Sequence, residues 1–218
     1  MKRLSVVLLT LLLSACFGGA NNSAPLAIYD FGMPSARLAA DDAWSKIALE
    51  IKAPIWIDSL NIQYRLAYED PLKLRDYAGS RWAGAHAQLL AQRLRQQLGV
   101  VSATGNVAVD CLLRLDLQAF SQVFDTPQQS RGVVHGSVSV LDAKRRVIAT
   151  RQLAVEQAAA SSDARGGVVA LVGASDELAR QLAGWFATLE KDGSFNACRA
   201  SASGSTAATS GTRASAAK

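Results

Sequence analysis

Over residues 107–123, apolar and polar positions alternate with a period of two. Val107, Val109, Cys111, Leu113, Leu115 and Leu117 share one face, and Asp110, Arg114, Asp116 and Gln118 the other. The pattern predicts a long strand buried on one side. Alternation returns after the segment DTPQQSRG, at Val134, Gly136, Val138 and Val140, and again after DAKRR, at Val147, Ala149, Leu153 and Val155. Both breaks are rich in turn-forming residues, so the three runs predict an antiparallel meander. Further strands are expected over 26–31, 46–51 and 60–68.

Two segments switch to the helical period. Ala83, Ala87, Leu90, Leu94 and Leu98 form one stripe, stopped by Gly99; Val168, Leu171, Ala174, Leu178, Leu182, Trp185 and Leu189 form another, stopped at Gly193. Arg93 and Arg95 are placed on the outer side of the first helix. Amphipathic helices must bury their stripes, and one face of the sheet offers the surface. The expected fold is α+β, a mainly antiparallel sheet with two amphipathic helices packed on one face as an α/β sandwich. The chain has no internal repeat.

Ahead of this body, the apolar run at 4–13 would make a helix of about 15 Å, too short for a hydrocarbon core of roughly 30 Å. Lys2 and Arg3 before it and Ser14-Ala15 after it complete an export-signal pattern over residues 1–15. Cys16 follows directly, and LSAC resembles the lipobox of bacterial lipoproteins. That resemblance implies cleavage before Cys16, a diacylglycerol on its thiol and an acyl chain on its new amine, with no other cofactor. Several chains on one residue give stable membrane attachment. The alternative is an incidental cysteine behind an ordinary signal peptide. Phe17 stands where an Asp would retain a lipoprotein at the inner membrane, so the resemblance implies the periplasmic face of the outer membrane.

Composition sets the remaining boundaries. Residues 16–25 are mostly Gly, Asn, Ala and Ser after Cys16 and suit a flexible tether; residues 199–218, RASASGSTAATSGTRASAAK, lack aromatic and large aliphatic side chains and are expected to be a disordered tail. A single domain is expected over 26–198. The formal net charge is +5, and Lys2 and Arg3 carry two of those charges. The other basic residues are scattered, Lys144-Arg145-Arg146 reading as a solvated hairpin turn, so there is no nucleic-acid footprint.

No catalytic or metal-ligating constellation emerges. His86 and His135 lack HExxH or any other two-histidine ligand spacing, and there is no GxSxG elbow, CxxC pair or glycine-rich phosphate loop. His86 is expected at the edge of the first helix and His135 on a strand face opposite the valines, both partly exposed. Asp58 and Ser59 read as a turn before a strand rather than as part of a hydrolase set. The chain is therefore read as non-enzymatic. Cys111 and Cys198 belong to an oxidising compartment if the chain is exported. Either they bridge, worth roughly 4 kcal/mol by the chain-entropy account, or Cys111 is a buried core thiol and Cys198 incidental.

The segment WIDSLNIQYRLAYEDPLKLRDYAGSRWA, at 56–83, is dense in Tyr, Arg and Trp at a spacing that periodicity does not explain. With LRLDLQAFSQVFD at 113–125 and DARGGVVALVGASDELARQLAGWFA at 163–187, it resembles the ABC-type transport auxiliary lipoprotein family, which includes the paraquat-inducible protein C-type lipoproteins. The three segments occur in the family's order. The resemblance implies an accessory lipoprotein working with an ABC permease and ATPase and an MCE-domain protein to move phospholipid or other lipids between membranes, as a docking or channel-collar subunit and as a candidate homo-oligomer. Tyr64, Arg65, Tyr77, Arg81 and Trp82 match the family's tyrosine-arginine and tyrosine-to-tryptophan segment, and Phe120 and Phe124 its EFSQVF-like segment. Ala119 stands where the family has an acid, and VEQAAASSDARGG lacks the family's proline-rich approach to the last helix. For Tyr64 and Trp82 two roles stay open, closing the core or touching a partner or lipid. A stand-alone envelope lipoprotein that binds a small ligand or hydrolyses an envelope substrate is the alternative function.

Overall fold

The computed structural model describes residues 25–40, 42–104 and 108–198. The expected signal, Cys16, all of the tether but Pro25, and the tail at 199–218 lie outside the described residues. Among the described residues eight strands and two long helices follow in the order β1 (Ala27–Tyr29), β2 (Ile47–Lys52), β3 (Asn61–Leu66), β4 (Leu74–Trp82), α1 (His86–Leu98), β5 (Val101–Ser102), β6 (Cys111–Thr126), β7 (Gln129–Leu141), β8 (Val147–Ala158) and α2 (Ala164–Lys191). A helical turn over 194–198 closes the described chain. None of these helices is long and apolar enough to cross a membrane.

The spine is β6. One of its edges pairs along nearly its whole length with antiparallel β7, which in turn pairs with antiparallel β8. Its other edge is shared. Residues 111–116 pair with β2 and residues 122–124 with β3, both parallel. Beyond β2 lies parallel β5; beyond β3 lie antiparallel β4 and then parallel β1. The sheet is thus mixed, which corrects the expected mainly antiparallel arrangement. The meander over β6, β7 and β8 forms as expected, because short turns join strands that alternate. Parallel neighbours are joined through long connections, and alternation within a strand does not say which distant strand lies beside it.

A bulge separates the two halves of β6. The register runs Leu117↔Gly136 and then Ala119↔His135, which leaves Gln118 as the extra residue. Before it, Cys111, Leu113, Leu115 and Leu117 face the core; after it, the phase reverses and Phe120 faces the core. Of the other expected strands, 26–31, 46–51 and 60–68 are found in shorter or shifted form. Strands β4 and β5 were not expected, since LRDYAGSRW does not alternate and its register against β3 is irregular, and β5 is two residues long.

Both helices bury their stripes in one contiguous core with Leu113, Leu115, Val138, Val140, Leu153 and Val155. α1 begins at His86, later than the stripe from Ala83 suggested, and ends where Gly99 takes φ 68°, a left-handed conformation that glycine adopts without cost. Its first turn is capped from a distance, Ala87 N–H donating to Asp58 Oδ1 at 3.1 Å. Ser59 Oγ accepts from Asn61 N at 3.2 Å, so Asp58 and Ser59 do shape the approach to β3. α2 is capped by Asp163, whose Oδ1 accepts from Gly166 N at 2.7 Å. It crosses β7 so closely at Gly132 that a Cβ there would lie 2.7 Å from the backbone of Ala170 and Leu171. Near its end Phe186, rather than the expected Trp185, fills the core: Phe186 packs edge-on against Trp44 at 5.0 Å, while Trp185 is half-buried. Position 186 follows Leu182 by four residues, as the helical repeat allows equally with three.

Cys111 and Cys198 are joined in a disulfide, with Cα atoms 5.4 Å apart. The bond ties the start of β6 to the turn after α2 across a separation of 87 residues. Reduction, or Cys198→Ala, should lower stability by about 4 kcal/mol on the chain-entropy account. A urea midpoint measured with and without reductant checks this, and neither Cys111 nor Cys198 should be alkylated in the native protein before reduction.

Candidate functional site

The residues singled out in the sequence separate into two aromatic clusters and a hairpin. Trp82 and Phe120 are each 1% exposed and belong to the core. Phe31 stacks on Phe120 at 5.9 Å and meets Trp82 edge-on at 5.3 Å; His86 lies 5.0 Å from Phe120. Trp82 therefore closes the core, the first of the two roles left open for it.

Tyr64, Tyr77 and Phe124 form the second cluster, with Tyr64 4.5 Å from Tyr77 and 5.9 Å from Phe124. Beneath them lies a polar chain: Tyr77 O–H donates to Gln122 Oε1 at 2.9 Å, and Gln122 Nε2 donates to Ser130 Oγ at 2.8 Å. Gln122 is fully buried, so these bonds satisfy an amide that would otherwise cost dearly. The first turn of α2 rests on the same amide, and a Cβ at Gly167 would strike it. Burial above all, then Tyr64 and Asp163, pushes the Tyr77 phenol well above the usual tyrosine range and keeps it a donor. Three segments distant in sequence meet here: Tyr64 and Tyr77 from 56–83, Gln122 and Phe124 from 113–125, Gly167 from 163–187.

The two arginines of the motif diverge. Arg65 Nη1 donates to the carbonyls of Pro71 (3.3 Å) and Leu72 (3.1 Å), clamping the β3–β4 hairpin. Arg81 is exposed at the level of Asn61 and Ile28, facing solvent. His135 is partly exposed on the solvent face, as expected, near Glu156 at 3.6 Å. Lys144 and Arg145 lie in the solvated β7–β8 turn.

Two expectations about α1 are overturned. Arg93 is not on the outer side of the helix but 4% exposed, pairing two-pronged with Asp176 of α2: Nε to Oδ1 2.7 Å, Nη2 to Oδ2 2.8 Å. Gln97 Nε2 adds 2.9 Å to Asp176 Oδ1, and Arg93 Nη1 takes the carbonyls of Phe31 and Gly32 at 2.6 and 3.2 Å. The signal was its place three residues after Leu90, within the apolar stripe rather than opposite it. His86 is not at an exposed edge but fully buried, its Nδ1 bonded to the Ile57 carbonyl. Desolvation holds its pKa below the ordinary imidazole value, outweighing that bond and the nearby Asp58.

Among the described residues, no group of three or more His, Cys, Asp and Glu side chains is placed to hold a metal ion. An open groove of about 600 Å³ runs between α1 and β2–β5 and is lined by Ile51, Ala87, Ala91, Arg95, Ala103 and Arg145 among others. A smaller pocket of about 240 Å³ beside Arg93 includes Asp30, Gln92 and Gln96.

No family model matches the chain, and no curated protein matches it. Solved structures do. A Xanthomonas campestris protein of the DUF330 family is 21% identical, with a TM-score of 0.62 over 77% of this chain and 99% of its own. A second protein, titled only as uncharacterized, is 14% identical, with a TM-score of 0.57 over 74% of this chain and 99% of its own. The chain shares their fold.

Two outcomes follow from the buried polar groups. Arg93→Ala should cost about 3–5 kcal/mol by stranding Asp176, and Arg93→Met with Asp176→Leu should regain most of it, as urea unfolding of the three proteins will show. For His86, the folded protein resists the proton that the unfolded chain accepts near the ordinary value of 6.5. Stability is therefore full above that pH and falls as pH drops through it; the urea midpoint of the parent should fall between neutral pH and pH ~5, and His86→Phe should flatten that slope.

Proposed function

We propose that this chain is a non-catalytic accessory lipoprotein of an MCE- and ABC-type intermembrane lipid transport system, anchored to the periplasmic face of the outer membrane through acylated Cys16. In this reading the folded body is a docking or channel-collar subunit, and its partners are the MCE-domain protein and the ABC permease and ATPase.

One observation carries the reading. The three segments that resemble the auxiliary lipoprotein family are far apart in the chain, yet Tyr77, Gln122 and Gly167, one from each, meet at a single contact. A shared packing unit would give a reason for these segments to be kept together in one family, and it supports the resemblance. The apolar run before Cys16, too short to span, supports an anchor over a span. Three inward-facing polar side chains, Tyr77, His86 and Arg93, are all engaged in internal contacts, which favours a binding body over a catalytic one.

Mild detergent extraction of the full chain from its native envelope, after crosslinking, should recover an ATPase, a permease and an MCE-domain protein. Cys16→Ala should leave the chain uncleaved, heavier than the mature parent because it keeps residues 1–15 although it carries no acyl chains, and lost from the outer-membrane fraction. Recovery of no transporter component, or an unaltered mass and fractionation for Cys16→Ala, refutes the assignment.

A further inference from the structure

The β3–β4 hairpin holds an apolar side chain rigidly in solvent. Leu72 is 88% exposed and Tyr68 43%, yet the loop that bears them is braced by several internal hydrogen bonds. Leu72 N–H donates to Asp70 Oδ1 at 3.0 Å, and Arg65 clamps the Pro71 and Leu72 carbonyls. Glu69 and Asp70 N–H groups both donate to the Leu66 carbonyl, at 3.0 and 2.9 Å, and Arg75 holds the Glu69 carboxylate at 2.6 Å. Both acidic side chains are thus engaged within the hairpin. Lys73 is exposed, and no ion pair is formed by it among the described residues. A leucine, a tyrosine and a lysine on one firm tip match the demands of a bilayer surface: the leucine enters the acyl boundary, the tyrosine sits at headgroup depth and the lysine meets anionic headgroups.

Placement selects that occupant. β1 runs parallel to β4 in the register Ala27↔Ser80 to Tyr29↔Trp82, so the chain before Ala27 arrives from the side on which the hairpin lies. Counted along β3 from the Asn61↔Arg81 level, the hairpin reaches about 20 Å in that direction. Ten residues lead from Cys16 to Leu26, and such a stretch cannot exceed about 35 Å. The opposite end of β3 also bears exposed apolar side chains, Ile55 and Trp56; the direction of the incoming chain is what singles out the hairpin. From these observations we infer that the tip formed by Tyr68, Leu72 and Lys73 docks on the same bilayer that holds acylated Cys16 and so fixes how the body stands on the membrane. This rests on the lipid anchor of the proposed function and not on the transporter.

With Cys16 acylated and Cys111 bonded to Cys198, Leu72→Cys provides a single free thiol for an environment-sensitive fluorophore. The labelled, anchored full chain is reconstituted into phosphatidylethanolamine–phosphatidylglycerol vesicles with plain or brominated acyl chains. Lys144→Cys, in the β7–β8 turn at the other end of the sheet, is the control. The label at 72 should shift to the blue and lose intensity in brominated vesicles, and the label at 144 should do neither. In the unlabelled protein the Lys73–Leu74 bond should resist trypsin on vesicles, and Leu72→Asp, with unchanged melting, should restore cleavage. Cosedimentation with an unquenched label at 72 overturns the docking and leaves the anchor standing; a label that responds only when transporter proteins are added overturns it in favour of a protein partner. Failure to cosediment removes the anchor and the docking together.

Discussion

The structure depends on one strand serving two neighbours along a single edge. Over its sixteen residues β6 pairs first with β2 and then with β3, while β7 accompanies it on the other side. A regular strand of that length would keep one parity facing the core throughout. The extra residue at Gln118 breaks this constraint, turning the apolar face of the first half, which ends at Leu117, into the face that carries Phe120 in the second. Each half then has its own covering: α1 packs over β2, and α2 crosses β7 and β8 and brings its first turn to Gln122. Everything placed by β3 and β4, including the aromatic cluster and the hairpin, inherits its position from the second half of this strand.

α1 does more than cover the sheet. Its polar groups fasten the two long irregular connections whose backbone atoms would otherwise lack partners. Arg93 takes the carbonyls of Phe31 and Gly32, Gln97 accepts Leu38 N–H at 2.7 Å, and His86 and Ala87 N–H bind Ile57 and Asp58. The buried ion pair with Asp176 joins this helix to α2, and because both carboxylate oxygens and three guanidinium nitrogens are engaged, its desolvation is compensated by geometry. Burial keeps His86 neutral for the same reason that it leaves Tyr77 a donor: in each case the charged form would lose water that the protein does not replace.

These commitments shape the functional reading. Tyr77, Gln122, His86 and Arg93 are absorbed into holding loops and helices, and the open groove beside α1 and the exposed apolar side chains at the two ends of β3 are among the surfaces open to contact. In the proposed function such a body would recognise its partners through shape and exposed side chains. A subunit tethered as proposed would need to stand in a defined orientation on its anchor.

The sequence by itself determined the alternating runs of β6, β7 and β8, the two helical stripes with the glycine that ends α1, and the turn at Asp58 and Ser59, because each follows from residue period and local backbone chemistry. It also named both partners of the disulfide, leaving only their pairing open. Only the tertiary structure decided that the sheet is mixed, since hydrogen bonding between distant parallel strands leaves no local trace. The bulge at Gln118, the burial of Arg93 and His86, and the exchange of Trp185 for Phe186 were likewise hidden: each depends on what stands opposite the side chain, and a one-dimensional pattern records periodicity but not the partner across the gap.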